Sequence, residues 1–255
     1  MMCFIFFAGV STILRLEYLL AKATVYRYAP EWSVNKARIF TVRVVSITHA
    51  TISALGCLMS LLLDSNYVKE PYGYRTESAQ FVFLFSMGYF IYDLIDMYIH
   101  GEASNSKEYV IHHSLVIIAF SIILWTEKLF GFAMIGLLVE VQTIFLHLRT
   151  MFRLAGYSKR GSLPYHALIY ANMICLFLFR HLPISYLLYF LIFEDDNVPI
   201  ILRTFLIGGL GFLTYHNTHL TISMAKIDGF FGQEVQTVDE DSADPLGPVK
   251  SRNID

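Results

Sequence analysis

The chain has 255 residues, of which 55% are hydrophobic and 16% are charged, with a formal net charge of −2 and a mean hydropathy of +0.52. Soluble domains are about 45–50% apolar and about 25% charged. The composition therefore excludes an ordinary soluble domain and is typical of a protein that lies within a lipid bilayer.

Seven apolar segments follow one another along the chain, and they approach the roughly 20 helical residues that a bilayer core of about 30 Å requires. They are residues 2–20, 42–63, 79–99, 110–125, 129–150, 165–193 and 200–224. Each segment is apolar around most of its circumference, unlike an amphipathic soluble helix. None has the alternating pattern of a membrane β-barrel. We predict an all-α polytopic transmembrane bundle with about seven spanning helices.

The basic residues predict the orientation of these helices. One set of connectors collects most of them: Lys22, Arg27, Lys36, Arg38, Lys107, Arg153, Lys159, Arg160, Lys226, Lys250 and Arg252. The other set holds only Lys69, Arg75 and Lys128. By the positive-inside rule the amino terminus lies outside and the carboxyl terminus lies in the cytoplasm. We expect the first segment to be retained rather than cleaved, because no basic residue precedes its apolar run.

Three regions are predicted. Residues 1–33 form a first membrane segment with a cytoplasmic loop, and residues 34–228 form the membrane domain. Residues 229–255 are acidic, contain prolines and few apolar side chains, and are expected to be disordered. The three cysteines stand singly in apolar segments, which gives no cysteine metal motif.

Ionisable side chains within spanning segments are costly and usually functional, and here they are concentrated at one place. Asp93 and Asp96 lie three residues apart near the end of the third segment, and the pair His112 and His113 opens the fourth. A carboxylate beside an imidazole can fix its tautomer and raise its basicity. We predict these four residues as a catalytic cluster, with mutual helix-to-helix bonding as the structural alternative.

Five further polar residues fall at comparable depth on the predicted helices. We expect them to line the same cavity, which would open toward the cytoplasm; they are His49, His100, Asn172, His216 and His219. Neighbouring histidines point about 100° apart on a helix, so no metal site is predicted. We also expect no cofactor.

Glu140 and Arg180 are predicted to form a structural ion pair. They lie at matching depths, about 16 and 20 Å from the outer ends of their segments at about 1.5 Å per residue. Either charge alone would be expensive inside the membrane.

Several strings, in order along the chain, resemble the TLC-domain family. The third segment contains GYFIYDLID at 88–96 and the fourth contains EYVIHH at 108–113. The string LLVEV at 137–141 is followed by Arg149, and FLFR at 177–180 is followed by Pro183. The resemblance covers residues 34–224. It is greatest to the branch that holds the vertebrate TLC-domain-containing proteins one and two, of which one is also called calfacilitin, and a nematode relative.

This resemblance implies a plasma-membrane protein that limits the incorporation of long-chain polyunsaturated fatty acids into phospholipids and so regulates membrane fluidity. The endoplasmic reticulum is the alternative location that the resemblance implies. The implied partners are membrane phospholipids or fatty acyl chains, with no nucleic acid. Ceramide synthases of the wider family join an acyl-CoA to a sphingoid amine with a histidine pair and an aspartate pair. Here Asp93 and Asp96 precede His112 and His113, whereas in ceramide synthases the aspartates follow.

Two functions therefore remain open. In the first, the protein is a regulator of phospholipid acyl composition without its own catalysis. In the second, it is an acyl-CoA-dependent acyltransferase that uses His112 and His113. Other classes are disfavoured. The sequence lacks the motifs of a G-protein-coupled receptor, the complete histidine boxes of a di-iron enzyme or an elongase, and the selectivity filter of a channel.

Overall fold

The protein is described by a computed structural model that covers residues 2–73, 76–104, 106–157, 163–194 and 198–231. Every regular element in these ranges is helical, as predicted. The ten helices are α1 (Met2–Tyr28), α2 (Val34–Leu63), α3 (Asn66–Lys69), α4 (Glu77–Ile99), α5 (Lys107–Thr126), α6 (Phe130–Gly136), α7 (Val139–Leu154), α8 (Leu163–Leu176), α9 (Leu182–Tyr189) and α10 (Ile200–Ile227).

Five stretches of the described chain are long and apolar enough to cross a membrane: Val34–Leu63, Glu77–Ile99, Lys107–Thr126, Phe130–Leu154 and Leu163–Glu194. The fold class is thus confirmed as an all-α, polytopic membrane bundle. The first and last predicted segments also form long helices, because α1 has 27 residues and α10 has 28. The total of seven spans stays a prediction.

The amino-terminal helix packs into the bundle rather than beside it. Helix α1 contacts α2 and α4, and its Val10 and Leu14 are buried in the main apolar core. Gly88 on α4 permits this approach, since a Cβ added there would lie 2.9 Å from Cγ1 of Val10. The predicted boundary at residue 33 thus separates two stretches of the sequence, although α1 packs against helices on the other side of that boundary. Of the predicted tail at 229–255, all but the first three residues lie outside the described chain.

Two π-helical turns interrupt the stretch after α8. The first spans Phe177–His181, immediately before Pro183 in the first turn of α9, and the second spans Phe190–Glu194. A proline cannot donate to the carbonyl four residues earlier, so the backbone there needs a local adjustment. The first π turn carries Arg180, which is buried in the bundle interior.

The carboxyl end of α10 is fixed to α7 by a buried ion pair. Arg149 has no exposed surface, and its guanidinium donates to both carboxylate oxygens of Asp228, with Nε 3.2 Å from Oδ2. A bidentate ion pair of this kind also fixes the relative orientation of the guanidinium and the carboxylate. It holds the carboxyl end of α10 against the bundle, and this helix carries His216 and Asn217.

Candidate functional site

The first pair in the site joins α4 to α5. Nδ1 of His113 lies 3.3 Å from Oδ2 of Asp93, and both side chains are largely buried. Phe90, one turn before Asp93, packs its ring 5.3 Å from that of His113. The predicted proximity of an aspartate on α4 and a histidine on α5 is therefore present in the structure. The contact lacks hydrogen-bond geometry, however, because Nδ1 of His113 has no hydrogen-bond partner among the described residues.

The second pair joins α5 to α10. Nδ1 of His216 lies 3.1 Å from Oε2 of Glu108. The ring of His112 lies 6.3 Å from that of His216 and 5.4 Å from that of His113. His112 thus connects the two pairs. We call Asp93, Glu108, His112, His113 and His216 the histidine cluster.

Three buried imidazole nitrogens in or beside this cluster lack a hydrogen-bond partner among the described residues. They are Nδ1 of His112, Nδ1 of His113 and Nε2 of His49. A buried polar group left unsatisfied costs about 1–3 kcal/mol. Native proteins tolerate few such groups, so each one requires an explanation.

Asp96 does not join the histidine cluster. Its Oδ2 accepts a hydrogen bond of 2.8 Å from Nη2 of Arg38, and its Oδ1 lies 3.7 Å from Arg15. Nε of the same Arg38 donates to Oε1 of Glu102 at 2.8 Å. We call Arg38, Asp96 and Glu102 the Arg38 network. It joins the start of α2 to the end of α4, so Asp96 lies in an ion-pair network rather than in the histidine cluster.

His100 belongs with Asp96. It caps α4, and its Nδ1 lies 2.9 Å from the backbone oxygen of Asp96 and 3.3 Å from Oδ1. About a third of its side chain is exposed. The geometry assigns it a capping contact at the helix end rather than a place beside His113.

His49 occupies the centre of the bundle on α2. Its ring stacks on Tyr89 at 3.8 Å with an interplanar angle of 6°. Its Nδ1 lies 3.8 Å from Oε2 of Glu140 on α7. The hydroxyl of Tyr89 donates to Ser46 at 3.0 Å, which fixes the aromatic partner. His49 is therefore a buried and positioned side chain, and its place in a lipid-binding cavity stays a prediction.

Glu140 and Arg180 lie in the same buried region, but a threonine lies between them. Nη2 of Arg180 donates to Oγ1 of Thr143 at 3.1 Å, and Nη1 donates to Oδ1 of Asn217 at 3.1 Å. The Thr143 hydroxyl itself donates to the backbone oxygen of Val139 at 3.2 Å, and its side chain lies next to Glu140. Among the described side chains, no contact within 4.0 Å pairs this carboxylate directly with this guanidinium. The predicted ion pair is thus a bridged arrangement across α7, the first π turn and α10.

Asn172 and His219 do not lie with the histidine cluster. Asn172 is fully buried on α8, where its Oδ1 accepts from Nε2 of Gln142 at 2.8 Å and its amide contacts the sulfur of Met224. His219 is exposed on α10, with its ring 6.5 Å from Tyr215. The first is a helix-to-helix contact and the second faces outward.

No group of three or more histidine, cysteine, aspartate and glutamate side chains that could hold a metal ion occurs in the part of the chain that the structure describes. The carboxylate and imidazole pairs are instead suited to proton transfer and to hydrogen bonding with a polar ligand.

The sequence interpretation did not single out Glu108, Thr143 and Asn217. Glu108 stands one residue after the start of α5, four residues before His112, so the two side chains share a helix face. That spacing could have indicated it. Thr143 and Asn217 are uncharged and common in membrane helices, so nothing in their local pattern distinguishes them.

Comparison with known proteins agrees with this architecture. The model of the TLC domain matches residues 39–226. TLC domain-containing protein 2 of Danio rerio is 28% identical over 183 residues, which cover 72% of this chain and 74% of that protein. TLC domain-containing protein 1 of Homo sapiens is 31% identical over 165 residues, 65% of each chain. The matched region contains the histidine cluster and runs from α2 to α10, and the chain therefore belongs to the TLC domain family.

Proposed function

We propose that this protein regulates the acyl composition of membrane phospholipids and limits the incorporation of long-chain polyunsaturated fatty acids into them. Membership of the TLC domain family supports a role in membrane lipids. The names of the relatives state the domain and no lipid, so the lipid class is part of what we propose. We place the protein in the plasma membrane, with its amino terminus outside and its carboxyl terminus in the cytoplasm.

The observation that carries this proposal is the histidine cluster with its unsatisfied imidazole. Two carboxylate–imidazole contacts flank His112, and Nδ1 of His112 and Nδ1 of His113 both lack a hydrogen-bond partner among the described residues. A structural contact between helices would need one such pair, with its polar atoms satisfied. A carbonyl or hydroxyl of a lipid would complete the hydrogen bonding of His112.

A second candidate function is acyl transfer from an acyl-CoA. It is favoured by the 3.3 Å separation of Asp93 and His113, because a carboxylate at this distance can orient the imidazole and stabilise its charged form. In that reaction His113 would accept the proton of an attacking hydroxyl or amine, and the thiol of coenzyme A would leave.

The test is phospholipid acyl composition in cells that lack the protein, rescued with the wild type or with His112→Ala/His113→Ala at equal abundance. His219→Ala is the matched control, because this histidine is exposed and lies outside the cluster. We expect the wild type and His219→Ala to restore the composition and the double variant to fail. Equal rescue by all three proteins would contradict a role for the cluster.

The two candidate functions differ in a purified system. An acyltransferase incorporates labelled acyl groups from acyl-CoA into an acceptor in proteoliposomes, and Asp93→Asn abolishes that incorporation. A regulator without catalysis gives no incorporation in the same proteoliposomes, although the wild type still restores composition in cells.

A further inference from the structure

Arg153, in the last turn of α7, is a buried arginine without an acidic partner. Only 8% of the residue is exposed. Its guanidinium forms no hydrogen bond and no ion pair with any residue that the structure describes, and its Nη1 is enclosed by the protein. The helix dipole favours a cation at this end of α7, but it supplies no hydrogen-bond acceptor. Because arginine is almost never buried unless it is paired, this side chain requires an explanation.

Basic groups outnumber acidic groups around Arg153. The charged side chains that act on it most strongly are Arg149, Arg43 and Asp228. Both carboxylate oxygens of Asp228 already accept from Arg149. Arg43 lies on α2, where its Nη1 is 3.5 Å from Nδ1 of His147, so it adds a further positive charge. Three guanidinium groups therefore accompany a single carboxylate among these residues, and an anion would compensate the excess.

The donors that such an anion needs can be reached from outside. Nε and Nη2 of Arg153 donate to no described residue and yet are not enclosed, so this edge of the guanidinium retains accessible surface. It is the same edge with which Arg149 holds Asp228. The hydroxyl of Tyr165 on α8 is likewise neither enclosed nor bonded to a described residue, although the residue is only 6% exposed. Tyr165 and Arg153 also act on each other electrostatically. A guanidinium edge and a phenol thus form a set of donors without an acceptor.

These donors lie where two consecutive spans meet the membrane surface. Arg153 is the residue before the end of the span Phe130–Leu154, and Tyr165 stands two positions after the start of the span Leu163–Glu194. The phosphate groups of bilayer lipids lie just outside the hydrocarbon core, at this level. In the predicted orientation this is the cytoplasmic side, where basic pockets between membrane helices bind anionic head groups.

We propose that Arg153 and Tyr165 bind the phosphate group of an anionic phospholipid of the cytoplasmic leaflet. Nε and Nη2 of Arg153 donate to two phosphate oxygens, because the planar fork of a guanidinium matches the geometry of a phosphate. The hydroxyl of Tyr165 donates to an oxygen of the same group. We call these two residues the Arg153 site. It contains no residue of the histidine cluster, and it does not depend on the proposed function.

The test measures the binding of dioleoyl phosphatidic acid to the full chain in detergent, by native mass spectrometry and by the thermal midpoint. Dioleoylglycerol is the lipid control, since it has the same two acyl chains without the phosphate. Arg153→Gln removes the charge and keeps most of the length of the side chain. Lys226→Gln is the matched variant, because it removes an exposed positive charge from the last turn of α10.

We expect phosphatidic acid, and not dioleoylglycerol, to bind and stabilise the wild type and Lys226→Gln. Arg153→Gln should raise the dissociation constant about tenfold or more, and Tyr165→Phe about threefold, as the loss of a charged and of a neutral hydrogen bond implies. Arg153→Lys keeps the charge without the fork and should lie between Arg153→Gln and the wild type. Without lipid, Arg153→Gln should not lower the thermal midpoint, because it removes an uncompensated charge.

Four results would overturn the proposal. Equal binding of phosphatidic acid by Arg153→Gln and the wild type would exclude Arg153 as a ligand of the phosphate. Equal binding of dioleoylglycerol would show that the acyl chains carry the affinity. A lower thermal midpoint of Arg153→Gln without lipid would assign Arg153 a structural role. Inorganic pyrophosphate that stabilises the lipid-free protein as much as phosphatidic acid does would assign the site to a soluble phosphate compound. All four leave the rescue experiment with the histidine cluster unaffected.

Discussion

Two carboxylates on α4, three residues apart, have very different surroundings. Asp96 accepts from Arg38 and lies near Arg15 and His100, so positive or polar partners surround it. Asp93 lies 3.3 Å from Nδ1 of His113, and neither this nitrogen nor Nδ1 of the neighbouring His112 has a hydrogen-bond partner among the described residues. A charge that is fully compensated stabilises a fold, whereas an incompletely compensated polar site is suited to a ligand. We therefore propose a structural role for Asp96 and a functional role for Asp93.

The largest expected effect follows from removing the cation of the Arg38 network. Arg38→Gln leaves Asp96 and Glu102 without their shared partner, and breaking a buried ion pair costs about 3–5 kcal/mol. We expect a marked fall in the thermal midpoint of the detergent-purified protein. Arg15→Gln is the control, because Arg15 is about half exposed and 3.7 Å from Asp96, so its loss should change stability little. Equal effects of the two variants would refute the assigned role of Arg38.

The bridged arrangement of Glu140, Thr143 and Arg180 gives an intermediate effect. A double-mutant cycle of Glu140→Gln and Arg180→Gln should show a coupling free energy of about 1–3 kcal/mol, measured by unfolding in detergent. Thr143→Val removes the bridging hydroxyl and should itself reduce that coupling. Additive losses in the cycle would show that the two charges do not depend on each other.

Asp93→Asn should separate stability from function most clearly. The substitution keeps the shape of the side chain, and we expect the free energy of unfolding to change by about 1 kcal/mol or less. Rescue of phospholipid acyl composition should nevertheless be lost. Asp96→Asn is the matched variant on the same helix, and it should lose stability and, once equal abundance is restored, retain rescue. If Asp93→Asn instead lost stability and retained rescue while Asp96→Asn lost rescue, the roles proposed for the two aspartates would be reversed.

The smallest expected effect concerns the exposed histidine of α10. His219→Ala should change the free energy of unfolding by about 0.5 kcal/mol or less and leave rescue intact, because the side chain faces outward. His216→Ala, three residues earlier, removes the partner of Glu108 and should impair rescue. An equal loss with both variants would contradict the orientation of α10.

The sequence predicts the helices well because the thickness of the bilayer core sets the length of the apolar segments. It predicts the contacts between side chains of different helices poorly, because a helix that is apolar all round does not show which face is turned inward. His216 and His219 are therefore equivalent in the sequence, although one is buried and the other exposed. In the sequence Arg38 is only a basic residue of a predicted connector, since its contact with Asp96 depends on how α2 and α4 pack.

The predicted pairing of Glu140 with Arg180 shows the same limit. Both residues are buried and act on each other electrostatically. Arg180 lies on the π turn before Pro183, and no periodicity in the sequence indicates that local change of helical geometry.

The packing of α1 against α4 also has a consequence in time. Tyr28 ends α1 and Ile99 ends α4, so 71 residues must be synthesised before the partner of α1 is complete. At about 5–20 residues per second this takes about 4–14 s. Throughout this interval Asp96 or the end of its helix is still missing for Arg15, whereas Thr48, which donates a hydrogen bond of 2.5 Å to Glu17, follows only 20 residues after Tyr28. The amino-terminal helix is therefore synthesised before the side chains that compensate its Arg15 and Glu17, and it obtains the partner of Glu17 first.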